Sequence, residues 1–289
     1  MIDNGDAAAS VGGPAVGPAR AGATDVAARP KICLEQLQEQ ADALLTENAA
    51  PLCGIGVGLL GAVEFDTGGA IATPIIPGRA GHPVRERLRE RFPAPVRIHN
   101  EVTNMAPGEL RAGLAKKEHH ALFVKIGTGI GAGLISNGRL HRGAQAGAVG
   151  FGNFAVAGSG VACPCGNEGY LEGVAGGAAL ARNGPRAGKD GASREPTTTL
   201  DGTGTGRSAD AAAGAQAGEP ACRDRLVRAG NAIGGALADV VNFVNSSLIM
   251  IGGGVANVGD LLLAPGACCR CGWATAAPAD QLDVVRPST

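Results

Sequence analysis

Residues 124–144 read VKIGTGIGAGLISNGRLHRGA. The run from His120 to Ile126, HALFVKI, is a strand by length and content, and it ends in Gly127-Thr128-Gly129-Ile130-Gly131-Ala132-Gly133. A second short strand, LIS, follows, then Asn137-Gly138 and RLH. Asn-Gly between two apolar runs is a strong hairpin signal, because both turn positions need a positive φ. Glycines at 127, 129 and 131 let backbone N–H groups approach a phosphate without Cβ obstruction, and Thr128 adds a hydroxyl. The alternative is a Gly-rich turn that holds no ligand.

Outward from this stretch, helices alternate with strands. Residues 31–48 carry Ile32, Leu34, Leu37, Ala41, Leu44 and Leu45 at helical spacing. Residues 53–63 predict a buried strand running into a Gly turn, 83–92 a charged amphipathic helix, and 96–99 a short strand. A helix follows from Asn100 to about Lys117, and Pro107 is expected to kink or delay it. Residues 143–170 are Gly-rich and irregular, and 183–218 form a Gly/Ala-rich insertion or a weak helix pair. A long helix over 222–243 leads into SLIMIGGGV, a buried strand ending in three glycines. The alternation indicates an α/β architecture.

Three further stretches bear chemistry, each with a bland alternative. IHNEVTNMAPGEL, residues 98–110, delivers Asn100 and Glu101 at a strand-to-helix turn. A carboxylate there serves as general base for a hydroxyl that the amide orients, or Asn100 is simply the helix N-cap. CPCGNEGYLEG, residues 163–173, resembles half of a zinc loop, but Cys163 and Cys165 fall short of four ligands. Glu172 in the same stretch either binds a ligand hydroxyl or sits on a first helical turn. Gly252, Gly253 and Gly254 form a rest for a nucleotide base or ribose, or a tight turn.

Bulk properties exclude several classes. The 289 residues suffice for one large domain or two modest lobes. Aromatics are 3%, so the core must be aliphatic. A net charge of -1 offers no basic field for nucleic acid, so no direct DNA binding is expected. The absence of a long apolar run or a secretory signal predicts a cytoplasmic protein with no membrane contact. Its eight cysteines are expected to be reduced, and Cys268-Cys269-Arg-Cys271 has poor chelating geometry with no His nearby. Residues 1–30, rich in Ala, Gly and Pro, are expected to be a disordered tail. A first α/β lobe is then expected over 31–118 and a second over 119–289.

The order and spacing of these signals resemble the ROK family (repressor, open reading frame, kinase) from about Ile32 to Ala264. The carrying stretches are GIGVGLLGAVEFDTG, residues 124–144 and FVNSSLIMIGGGVA (243–256). The resemblance implies an actin-like (ribonuclease H-like) two-lobed ATPase fold, with sugar and ATP in the cleft between the lobes. It also implies a homodimer. By that resemblance Glu101 takes the place of the catalytic base, while Asn100, Glu172 and Asn153 address the sugar. Gly127, Thr128, Gly129, Gly131 and Gly252–Gly254 hold the nucleotide, with magnesium on its phosphates.

The pattern also departs from the family. Its base is Asp where this chain has Glu101, and its next Asn is Thr103 here. Its sugar-contacting Glu and zinc-ligating His stand at Gly150 and Asn153, and its third cysteine at Tyr170. Bound zinc is therefore not expected. The opening Asp-x-Gly-x-Thr phosphate loop, an N-terminal helix-turn-helix and the last family helix are not found, so the fold is expected to be incomplete at both ends. The reading that follows is a regulator-derived sugar-binding protein with lost or strongly reduced kinase activity. The alternatives are an ATP-dependent hexose kinase using Glu101, and a decayed remnant without function.

Overall fold

The structure is a computed structural model. It describes residues 2–3, 6–10, 19–23, 30–47, 51–59, 63–64, 68–69, 82–144, 147–163, 166–181, 214–259, 261–264 and 283–285. In chain order the elements are β1 (Ile2–Asp3), β2 (Asp6–Ser10), β3 (Ala19–Ala23), α1 (Pro30–Glu47), β4 (Ile55–Leu59), α2 (Val84–Arg91), β5 (Val96–Asn100) and α3 (Glu101–Ala112). Then come β6 (Ala121–Ile126), β7 (Ile130–Ser136), β8 (Arg139–His141), α4 (Leu171–Ala175), α5 (Pro220–Val244), β9 (Leu248–Gly252) and β10 (Asp283–Val285). Short 3-10 turns span Phe151–Asn153 and Gly254–Val258. The mixed α/β content follows the sequence expectation.

The chain divides into two compact units, Met1–Lys117 with Gly133–Ala148, and Glu118–Ala132 with Val149–Thr289. In unit 1, β4 and β5 pair in parallel from Ile55↔Val96 to Leu59↔Asn100. Val57, Leu59, Val96 and Ile98 of this pair meet Leu34 of α1, Val84 and Leu88 of α2, and Phe92 in one apolar cluster. Arg91 Nη2 on α2 meets Asp42 Oδ2 on α1 at 2.7 Å. Both side chains are largely exposed, so this pair orders the helices more than it stabilises them.

Two sequence expectations change here. Residues 1–30, expected to be disordered, contain three strands: β1 and β2 pair antiparallel, and β2 pairs with β3 from Asp6↔Ala23 to Ser10↔Ala19. Composition reflects side-chain burial alone, whereas strand pairing satisfies main-chain N–H and C=O groups whatever the side chains. Helix α1 lies against β2 and β3. The second change is that α3 starts at Glu101 and runs through Pro107 without delay. The firm cap at its first turn fixes the start before the proline is reached.

Unit 2 starts at Glu118, whereas residues 133–148 group with unit 1. A Cβ on Gly133 would lie 2.7 Å from Ala106 Cβ on α3, so glycine permits β7 to approach that helix. β7 and β8 pair antiparallel around Asn137 and Gly138, at φ 52° and 68°, the conformation that the Asn-Gly signal requires.

In unit 2, β6 is buried along its whole length and pairs in parallel with β9, from Ala121↔Leu248 to Lys125↔Gly252. β10 extends the ladder beyond β9, and β7 adjoins β6 on the other side. Leu226, Ala229, Ile233 and Val241 make the buried face of α5, with Leu171 and Leu180 also buried. The insertion at 183–213, Cys165, and the cysteines at 268–271 lie outside the described residues. Among the described residues, no helix is long and apolar enough to cross a membrane.

Candidate functional site

In unit 1 the candidate residues gather where β5 becomes α3. Asn100 is extended at φ -60° and ψ 144°, and its Oδ1 accepts from Val102 N at 3.0 Å and Thr103 N at 3.2 Å. The cap reading therefore holds for Asn100, and the family's Asn position, Thr103, takes part in it. Glu101 is 5% exposed in the first turn of α3. A carboxylate there is favoured by the positive end of the helix dipole. Gly58 of β4 lies behind it: a Cβ on Gly58 would stand 3.0 Å from Glu101 Cα and 3.2 Å from Glu101 Cβ. Asn104 Nδ2 donates to Val57 O at 3.2 Å and ties the same helical turn to β4.

His99 precedes this turn, half-buried. Burial first, then the charges of Arg142, Arg97 and Arg85, hold its pKa below the ordinary 6.5.

In unit 2 the Gly-Thr-Gly turn follows β6. Gly127 N donates to Gly129 O at 2.9 Å and closes the turn. Gly177 N donates to Gly127 O at 2.8 Å, and Ala178 N to Thr128 O at 2.9 Å, so the chain after α4 braces one side of it. Glu172, half-buried on the first turn of α4, braces the other: its Oε2 accepts from Ile130 N at 3.0 Å. A Cβ on Gly129 would stand 2.5 Å from that same oxygen. Thr128 is exposed at the tip, while Gly131 lies within β7.

The Gly252–Gly254 run forms a tight turn in unit 2. Gly252 ends β9, Gly253 has φ 98°, and Gly254 opens a 3-10 turn. A Cβ on Gly253 would collide with Ile126 O, so this turn seats directly on the end of β6. Asn153 is exposed at the end of its 3-10 turn, and Phe151 in the same turn is wholly buried, 5.3 Å from the Phe154 ring.

The donor set for zinc does not fit. Cys163 is buried, Tyr170 fills the third cysteine position and Asn153 the histidine position. No group of three or more His, Cys, Asp or Glu side chains suited to a metal occurs among the described residues. The loop is instead closed by main-chain bonds: Val156 N to Gly169 O at 2.7 Å, Cys163 N to Asn167 O at 2.7 Å, and Leu171 N to Phe154 O at 2.9 Å.

Sequence reasoning missed the close approaches of Gly152, Gly176 and Gly177. A Cβ on Gly152 would meet Ile130 O, on Gly176 Glu172 O at 2.7 Å, and on Gly177 Gly127 O at 2.6 Å. The Gly176-Gly177 pair was a readable signal of close backbone packing. It also missed a buried triad on α5 and its approach. Cys222 Sγ donates to Glu219 Oε2 at 3.1 Å and accepts from Arg225 Nη2 at 3.0 Å.

Comparison with known proteins agrees with this geometry. The chain is 30% identical over 220 residues to a glucokinase of Halalkalibacterium halodurans, covering 76% of this chain and 66% of that one. It is 29% identical over 214 residues to a xylose repressor of Caldicellulosiruptor bescii, covering 73% of this chain and 53% of that one. The chain thus spans just under two thirds of the glucokinase and about half of the repressor. Among solved structures it resembles a ROK family glucokinase from Streptomyces griseus in complex with glucose and AMPPNP. There the TM-score is 0.80 at 23% identity, over 95% of this chain and 88% of that one. That likeness fixes the fold as the actin-like fold of sugar kinases. The ROK family profile matches residues 28–285, and the chain belongs to the ROK family.

Proposed function

We propose that this chain is a sugar-binding ROK protein of the regulator-derived kind, with phosphoryl transfer from ATP to a sugar hydroxyl lost or strongly reduced. The observation that carries this is the seat of Glu101. Its Cα already lies against β4, 3.0 Å from where a Cβ on Gly58 would be. The backbone therefore has no room to retreat and offset the extra methylene that Glu has over Asp. The carboxylate is displaced by roughly an ångström from the family's base position, a shift that costs on the order of a hundredfold in rate.

The remaining residues keep roles in binding. In unit 1, Asn100 spends its carbonyl on the cap, and its amide nitrogen is the atom that would donate to a sugar hydroxyl. In unit 2, Glu172 and Asn153 stand at the family's sugar-side positions. The turn Gly127–Gly129, with exposed Thr128, and the Gly252–Gly254 turn fit a nucleotide, whose phosphates would carry magnesium. Bound ATP supplies the transferable phosphoryl group. Both likenesses, to glucokinases and to xylose repressors, support a hexose or pentose ligand, and the family resemblance supports a homodimer.

Titration calorimetry with glucose, xylose and N-acetylated hexoses tests the binding claim, and no heat with any of them would sink it. A coupled assay of ADP release tests the catalytic claim: Glu101→Asp should raise turnover about tenfold or more over the natural protein. A second reading, a working hexose kinase with Glu101 as base, is favoured by the intact turn after β6 and by burial of Glu101 at a helix N-terminus. Under that reading Glu101→Asp brings no gain.

A further inference from the structure

The contact between Glu172 and the turn after β6 ties two parts of unit 2 that the sequence presents as separate signals. Glu172 Oε2 accepts from Ile130 N at 3.0 Å, at the point where the Gly-Thr-Gly turn enters β7. The carboxylate lies in a space left by two glycines: a Cβ on Gly129 would reach within 2.5 Å of Oε2, and one on Gly152 within 3.4 Å. The chain just beyond α4 bonds the same turn through Gly177 N and Ala178 N. The turn is therefore held at three points by residues 172–178, and only Glu172 does so through a side chain.

We propose that Glu172 is a positioning residue for the Gly127–Ile130 turn, fixing it through Oε2 while Oε1 is left to face a ligand. The inference rests on the proposed function for the identity of that ligand, a sugar hydroxyl, but its structural half stands on unit 2 alone. The chemistry is direct. A carboxylate accepting a backbone N–H makes a charge-assisted bond, stronger than a neutral one. A hydroxyl donating to Oε1 restrains the same carboxylate plane, and through Oε2 it restrains Ile130. A sugar on Glu172 would thereby order the turn proposed to hold phosphate, so that each ligand strengthens binding of the other.

Hydrogen exchange of the peptide spanning 127–135, read by mass spectrometry on the ligand-free chain, tests the structural half. Glu172→Ala removes the acceptor and should speed exchange at Ile130 about tenfold or more. Glu172→Gln keeps a side-chain carbonyl and should stay near the natural rate. Gly129→Ala keeps the carboxylate but displaces it, and should reproduce the alanine effect. This variant serves if Glu172→Ala does not fold. Unchanged exchange in both Glu172→Ala and Gly129→Ala overturns the proposal.

The ligand half uses glucose and xylose with calorimetry alongside. A sugar that binds should slow exchange at Ile130 in the natural protein and not in Glu172→Ala. Bound sugar with no change in exchange overturns the coupling. Absence of binding by either sugar counts against the coupling and the sugar reading, while the ligand-free comparison still decides the positioning role.

Discussion

Gly58 on β4 and Glu101 on α3 are in close backbone approach: a Cβ on the glycine would lie 3.0 Å from the glutamate Cα. Gly58→Ala must therefore push the first turn of α3 away from the strand. Overpacking of this kind costs about 1–3 kcal/mol. Urea unfolding should report a loss in that range, with sugar affinity falling in the folded fraction. An unaltered midpoint would mean that the helix start is free to shift, and the displaced-base reading would lose its support.

Asn100 serves the cap through Oδ1, so the acceptor matters more than the amide for stability. Asn100→Ala should cost about 1 kcal/mol, and Asn100→Asp, which keeps an acceptor at the helix N-terminus, much less. If the amide nitrogen addresses a sugar hydroxyl, Asn100→Asp should still weaken sugar binding while leaving the melt nearly unchanged. Parallel melting and calorimetry separate the two effects.

His99 gives a pH dependence of definite sign. Its folded pKa lies below 6.5, chiefly through burial and then through Arg142, Arg97 and Arg85. The folded chain thus binds fewer protons at this site than the unfolded chain across that window. The stabilisation is complete above pH 6.5 and is lost as pH falls through the lowered value. His99→Gln should flatten the fall in urea midpoint between pH 7.5 and 5.5, as measured at matched ionic strength.

Cys222 should be inert in the native state. Burial first and the hydrogen bond to Glu219 second raise its pKa above 9.0, against the opposing charge of Arg225. The folded chain holds this proton more firmly than the unfolded one, so the site's contribution falls as pH climbs past 9.0. Mass-spectrometric mapping after brief alkylation at pH 8 should find label on exposed Cys53 and none on Cys222 until the chain is unfolded. Cys222→Ala should cost about 1–3 kcal/mol by stripping a partner from buried Glu219 and Arg225.

Much of the architecture was written locally. The Asn137-Gly138 turn, the apolar runs of β6 and β9, and the helical spacing of α1 and α5 are short-range signals, and each element formed within a few residues of its expected bounds. The resemblance of residues 124–144 and 243–256 to one family was likewise a property of the chain, and the match over 28–285 confirms it. Other features depended on what approaches from elsewhere. Pairing of β2 with β3 needed a partner strand, which composition does not reveal.

The roles at the candidate site divide in the same way. Sequence alone placed Asn100 and Glu101 at a strand-to-helix turn, because residue type and period are local. Only the tertiary structure decided that Asn100 caps the helix, that Gly58 pins Glu101, and that Glu172 reaches Ile130 across 42 positions of chain. Which donor a carboxylate meets is set by the packing of distant segments, and the chain's own local preferences carry no record of it.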